Sequence, residues 1–132
     1  MSNQEIRDPI HNFIRLETEE MRVLDCGPFQ RLRHIHQLAL TYLLYPSATH
    51  RRFEHSLGVM ELASRVYDVI TDPGNIHESV RSIIHRKFDL EYWRRALRMA
   101  ALCHDLGHLT FSHAAERDLL PAGCDHERLT LE

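Results

Sequence analysis

Leu102-Cys103-His104-Asp105-Leu106-Gly107-His108 begins as an apolar helical run and ends abruptly in an adjacent histidine and aspartate, followed by a glycine and a further histidine. An adjacent His-Asp pair offers one divalent cation a neutral imidazole nitrogen and a carboxylate oxygen, while Gly107 permits the turn by which the chain leaves. The same residues also suit an ordinary helix C-terminus capped by His and Gly. Neighbours on a helix diverge by about 100°, so His104 and Asp105 can share an ion only where it sits beside the helix end.

Working outward, the spacing predicts a helix over about 90–106, with Trp93, Leu97, Ala100, Ala101 and His104 on one inward stripe. Downstream, Thr110-Phe111-Ser112 leads into a short helix over 113–119, with Ser112 as N-cap and Glu116 one turn beyond His113. Pro121-Ala122-Gly123 breaks it. Upstream, a helix over 53–70 carries Val59, Leu62, Ala63, Val66, Tyr67 and Ile70 as an apolar stripe. His55 lies one turn before Val59, on the buried side, and Gly58 lets another group come close. The cluster Thr71-Asp72-Pro73-Gly74-Asn75 separates that helix from a polar one over 77–87, whose His77 and His85 read as exposed.

Earlier still, residues 19–45 read as helical around a Gly27-Pro28 break, with Phe29, Leu32, Ile35, Ala39 and Tyr42 or Leu43 recurring and Pro46 as the stop. Residues 5–16 read as a small hairpin turning at Asp8-Pro9-Ile10-His11-Asn12, because proline forbids a helix and Asn12 tolerates a left-handed conformation.

The 132 residues fit a single domain, 1–132, and 43% hydrophobic with 27% charged content is ordinary for a globular chain. A net charge of -3 argues against a general nucleic-acid or membrane-surface binder. No run approaches the ~20 apolar residues of a membrane span, and the first ten residues lack an apolar signal core. Cys26, Cys103 and Cys124 form no CxxC pair, which predicts reduced thiols and a cytoplasmic location. Lys87 is the sole lysine beside many arginines, the better fork for phosphate oxygens, and 11 histidines are the compositional oddity.

Two inward histidines on separate helices, His55 and His104, with Asp105, supply three ligands to a metal if those helices pack together. Such N/O donors suit manganese, iron, magnesium or zinc and leave positions for water and a phosphate oxygen. Arg52 stands nearby to balance phosphate charge, and His108 and His113 to donate protons, with Glu116 orienting His113. Phosphate chemistry is the natural candidate.

The segments Pro28 to Arg33, Arg52 to Val59, and His104 to His108 with Phe111-Ser112-His113 resemble, in this order, the HD-domain metal-dependent phosphohydrolases. Within them they look like the deoxynucleoside triphosphate triphosphohydrolases, which the Asp8-Pro9-Ile10-His11 turn and the His126-Glu127 pair also match. The resemblance implies a mostly α fold, an HD-domain helical bundle with a short N-terminal β-hairpin. It implies hydrolysis of a dNTP to deoxynucleoside and triphosphate by water attack at the α-phosphorus. It makes His55, His104 and Asp105 metal ligands, and Gln37, Arg52 and His108 substrate contacts. His113 becomes the catalytic histidine with Glu116 as its acidic partner, and His126 stands near the leaving oxygen, supported by Glu127.

The family completes its metal site with a further aspartate far downstream, and these 132 residues hold no later His-Asp element. The chain therefore reads as the N-terminal portion of the family fold, a homo-oligomer or a subunit completed by another chain. The alternative is a catalytically incomplete HD module that binds nucleotide or metal as a regulatory or assembly piece. Leu109-Thr110 and Ala39 also replace the small residue and proline, and the glycine, that the family tends to have there.

Overall fold

The computed structural model describes residues 4–82 and 87–131. It is mostly helical behind a two-stranded antiparallel hairpin, β1 (Gln4–Asp8) and β2 (Asn12–Leu16), in the register Ile6 opposite Ile14. The Asp8 carboxylate accepts from the amides of Ile10 (2.9 Å) and His11 (2.7 Å), and Asn12 takes the left-handed conformation (φ 66°) that closes the turn. The helices are α1 (Thr18–Leu24), α2 (Gly27–Gln30), α3 (Arg52–Ile70), α4 (Glu78–Arg81), α5 (Lys87–Cys103), α6 (Ser112–Leu119) and α7 (His126–Leu131). Among the described residues, no helix is long and apolar enough to cross a membrane.

Helices α3 and α5 pack along each other and form the body of the fold. Ile14, Leu24, Phe29, Leu32, Met60 and Leu102 are its most buried apolar residues, so hairpin, α1, α2, α3 and α5 all contribute to one core. Phe29 meets Phe53 edge to face at 5.5 Å between ring centroids.

Three expectations change. The continuous helical reading of 19–45 gives way to α1, α2, two 3-10 turns (Arg31–His34 and Thr41–Leu43) and an extended link. Ile35 is extended, the Arg52 amide bonds the Ile35 carbonyl (2.9 Å) and the Gln37 amide the His50 carbonyl (3.0 Å), so this link is tied to the entry of α3. Burial of Phe29, Leu32 and Ile35 follows a three-residue period that suits a 3-10 turn as well as an α-helix.

The stripes on the two long helices are also rotated. On α3 the buried line is Phe53, Leu57, Met60, Ser64 and Tyr67, while Leu62, Val66 and Ile70 are exposed. On α5 it is Arg98, Ala101, Leu102, and Asp105 just past its end, while Trp93, Leu97 and Ala100 are exposed. The cause is a charged group inside: Arg98, 4% exposed, donates to both oxygens of Glu20 (2.5 and 2.8 Å), to Ser64 Oγ (2.5 Å) and to the Arg15 carbonyl (2.8 Å). Counting apolar residues misses a face whose centre is a paired arginine.

Third, Ser112 does not cap α6. Phe111 and Ser112 both have positive φ (74° and 55°), uncommon for non-glycine residues, and Ser112 Oγ accepts from Arg52 instead. Helix α7 has no counterpart among the helices expected from the sequence, and Asp125 starts it by accepting from the Arg128 amide (2.9 Å). His77 is exposed, whereas His85 lies outside the described residues.

Candidate metal centre

Helix α5 ends at Cys103, so His104 and Asp105 sit on the turn that follows it. Asp105 is buried, and its two oxygens have different neighbours. Oδ1 faces His104 Nε2 at 3.2 Å and His108 Nε2 at 3.5 Å; Oδ2 faces Arg52 Nη1 at 2.5 Å and His55 Nε2 at 3.7 Å. His55, from the first turn of α3, meets His104 edge to face at 5.3 Å. One donor atom each from His55, His104 and Asp105 lies within 4.8 Å of the others. The packing of α3 on α5 therefore brings together the three residues expected as ligands.

Their chemistry suits a divalent ion. His104 Nδ1 lies 2.8 Å from the Ala101 carbonyl, which can only accept, so the proton is on Nδ1 and the Nε2 lone pair is free. Nε2 stands 3.2 Å from Asp105 Oδ1, so the two atoms are placed to share one cation. Burial lowers the pKa of His55, against the opposing pull of Asp105 and with help from His104, Arg52 and His50, which favours the neutral, ligating imidazole. Arg52, itself 3% exposed, holds Asp105 through one nitrogen and Ser112 Oγ through another (2.7 Å), and its Nε has no hydrogen-bond partner among the described residues. An open cavity of about 700 Å³ lies against His55, between His11 of the hairpin turn, His50 and Gly58.

A second cluster gathers on Glu116. His113 Nδ1 stands 3.2 Å and His126 Nδ1 3.1 Å from its Oε2, and His108 Nδ1 stands 2.5 Å from Oε1, off the line of a hydrogen bond. His108 and His126 stack face to face at 3.7 Å. Burial pushes the Glu116 carboxyl up, but hydrogen bonds from His126 and His113 and the charges of His108 and His126 outweigh it and hold it below its ordinary value. Burial, with Arg52 and His126 nearby, pushes His108 down to about 4, against Asp105 and Glu116. His113 is mostly exposed, so its far nitrogen faces solvent.

Of the expected site residues, His55, His104, Asp105, Arg52 and His108 form one connected group, and His108, His113, Glu116 and His126 another that shares His108 with it. Glu127 is exposed, and the carboxylate that receives His126 is Glu116. Gln37 lies on the link bridged to α3, with its side-chain oxygen buried and unpartnered.

Two supports lie outside the sequence expectations. Arg31 donates to the Leu106 carbonyl (2.7 Å), and Thr130 Oγ1 accepts from the Gly107 amide (2.9 Å) while donating to the His126 carbonyl (2.8 Å). Gly107 itself has no positive φ; a Cβ there would overlap the His126 carbonyl oxygen, so it serves close approach of α7 rather than a special turn. The capping aspartate at 125 is the sequence signal that announces α7, and with it Thr130.

The HD domain family matches residues 52–132. An uncharacterised protein of Methanocaldococcus jannaschii is 44% identical over 111 residues, 84% of this chain and 20% of its own length. The deoxynucleoside triphosphate triphosphohydrolase SAMHD1 of Xenopus laevis is 38% identical over 128 residues, 95% of this chain and 18% of its own length. A crystal structure of a hypothetical protein from Aquifex aeolicus superposes with a TM-score of 0.71 at 37% identity, covering 98% of this chain and 30% of that one. The chain thus spans about a fifth of the length of these curated relatives. With its ordered His55, His104-Asp105 and His108 around one buried carboxylate, the chain belongs to the HD domain family.

Proposed function

We propose that the chain is the site-bearing part of a metal-dependent phosphohydrolase that converts a dNTP to deoxynucleoside and triphosphate in the cytoplasm. One observation carries this reading: a buried carboxylate, Asp105, faced by the Nε2 atoms of His55 and His104 and by an arginine, beside a second set of histidines whose Nδ1 atoms meet on one glutamate. The similarity to SAMHD1 supports the substrate class.

His55, His104 and Asp105 would hold the ion, with manganese, iron, magnesium and zinc as candidates. When bound, it supplies Lewis acidity toward a phosphate oxygen and an acidified water. Arg52, beside Asp105, offsets phosphate charge. Glu116 accepts from Nδ1 of His113 and His126, which leaves their Nε2 atoms to handle protons. Water adds at the α-phosphorus and gives a proton to Nε2 of one histidine of this pair, the bond from phosphorus to O5′ breaks with its electron pair on O5′, and the imidazolium so formed returns the proton to that oxygen. His108 and Gln37 contact the nucleotide.

The test is hydrolysis of each dNTP in ¹⁸O-water with each candidate metal. The expected products are unlabelled deoxynucleoside and triphosphate carrying one ¹⁸O, both lost in His104→Ala and Asp105→Ala. Label in the nucleoside, or activity that survives both substitutions, overturns the reading. A second reading, an HD module that binds nucleotide or metal without turnover, is favoured by Arg52 being fully enclosed by Asp105 and Ser112. Metal-dependent nucleotide binding without product release would establish it.

A further inference from the structure

We propose that His113, Glu116 and His126 form a second metal site, selective for zinc, whose occupation switches off the proton handling assigned to them above. The proposal rests on that assignment only for its inhibitory consequence; the binding site stands on its own geometry.

In a tetrahedral zinc site with bonds of about 2.0–2.1 Å, neighbouring ligand atoms are about 3.3 Å apart. Glu116 Oε2 lies 3.2 Å from His113 Nδ1 and 3.1 Å from His126 Nδ1, so two edges of such a tetrahedron are already at length. The two rings are inclined at 67° with centroids 5.3 Å apart, and one donor atom of each of His113, Glu116 and His126 lies within 4.8 Å of the others. His108 is excluded as a ligand by its stacking: its ring lies 3.7 Å from that of His126 at 10°, and an ion in the plane of one ring is out of the plane of the other. It acts as a brace instead. His108 is 2% exposed, and its Nδ1 packs 2.5 Å from Glu116 Oε1, off the line of a hydrogen bond, with neither atom hydrogen-bonded among the described residues. That buried contact fixes the carboxylate with Oε2 turned toward the other two histidines.

His113 lies 73% open to solvent, which gives an ion its entry and leaves the fourth position to water. From the tautomer in which Nδ1 donates to Glu116, each ring binds an ion by moving its proton from Nδ1 to Nε2. That shift reverses the tautomer used for hydrolysis: Nε2 becomes a donor in both rings and cannot accept. Two nitrogens and one oxygen favour zinc over magnesium or calcium, which prefer all-oxygen sets.

The experiment is a zinc titration of the metal-free chain against a chromophoric chelator, with circular dichroism to establish folding. Two zinc ions per wild-type chain are expected. His113→Ala, an exposed change that leaves the core intact, and Glu116→Gln should each lose one, and His104→Ala should lose the other. Retention of two in both His113→Ala and Glu116→Gln overturns the proposal, as does a wild-type chain that binds no zinc or a single ion lost with His104. A single ion lost with His113 and Glu116 but kept in His104→Ala supports it and refutes the first centre instead. In hydrolysis assays run on manganese, added zinc should inhibit the wild type.

Discussion

Gly107→Ala isolates the contribution of α7 to the site. A Cβ at 107 would overlap the His126 carbonyl oxygen and stand 2.7 Å from the Thr130 amide nitrogen and 2.9 Å from Leu129 Cβ, where ordinary contact begins at 3.4 Å. Two of these three are backbone atoms, so the helix must recede by at least 0.7 Å (3.4 less 2.7). The same retreat takes the 3.1 Å contact of His126 with Glu116 to 3.8 Å (3.1 plus 0.7), beyond hydrogen-bonding reach. Since φ at 107 is not positive, alanine has no backbone penalty, and its smaller unfolded-state entropy would stabilise by about 0.4–1 kcal/mol. Overpacking works against this with a cost of about 1–3 kcal/mol, so the net change is destabilising. Turnover should fall roughly 100-fold for a displacement of this size. Manganese affinity at His55, His104 and Asp105 should stay at the wild-type value, because these residues are held by Arg52, the Ala101 carbonyl and one another. The assay pairs steady-state hydrolysis with manganese titration, and imidazole ¹⁵N shifts report His126 directly. Wild-type turnover with an unchanged His126 signal would refute the steric reasoning, and parallel loss of manganese binding would refute the separation of the two halves.

Two further outcomes follow from buried charge. Because His108 is held at about 4 against an ordinary 6.5, both folded and unfolded chains are neutral there above pH 6.5, and below it only the unfolded chain takes up the proton. Stability of the metal-free protein should therefore fall as pH drops from 6.5 toward 4, and urea titrations of His108→Gln should show a shallower fall over this range. Glu20→Gln leaves Arg98 buried without its counter-charge and should cost about 3 kcal/mol in urea unfolding, whereas the double variant Glu20→Leu with Arg98→Met, which removes both charges, should cost less than the single one.

The cluster of His55 with His104-Asp105 was legible because its residue types and chain order are specific even when each motif is short, and the structure brings the three side chains together. The orientation of α3 and α5 was not. Arg98 and Ser64 occupy the centre of the α3 and α5 contact, and no rule that scores apolar residues places a salt-bridged arginine there. The turns after α2 escape a helical reading for a different reason, since spacings of three serve 3-10 turns and α-helices alike. The convergence of three imidazoles on Glu116 depends on how α6 and α7 return to the turn after α5, a tertiary arrangement with no local sequence mark.

That arrangement divides the site by durability. The half with His55, His104 and Asp105 sits where α3 meets the end of α5, the most extensively packed pair among the described elements, whereas α6 and α7 are short. Local opening of a protein follows such differences, so α7 can detach and return while α3 and α5 remain closed. An ion held by His55, His104 and Asp105 would persist through these excursions, and the chemistry would be gated by a short segment that returns to the site through the Gly107 amide, the Thr130 hydroxyl and the contacts of His126 with Glu116 and His108.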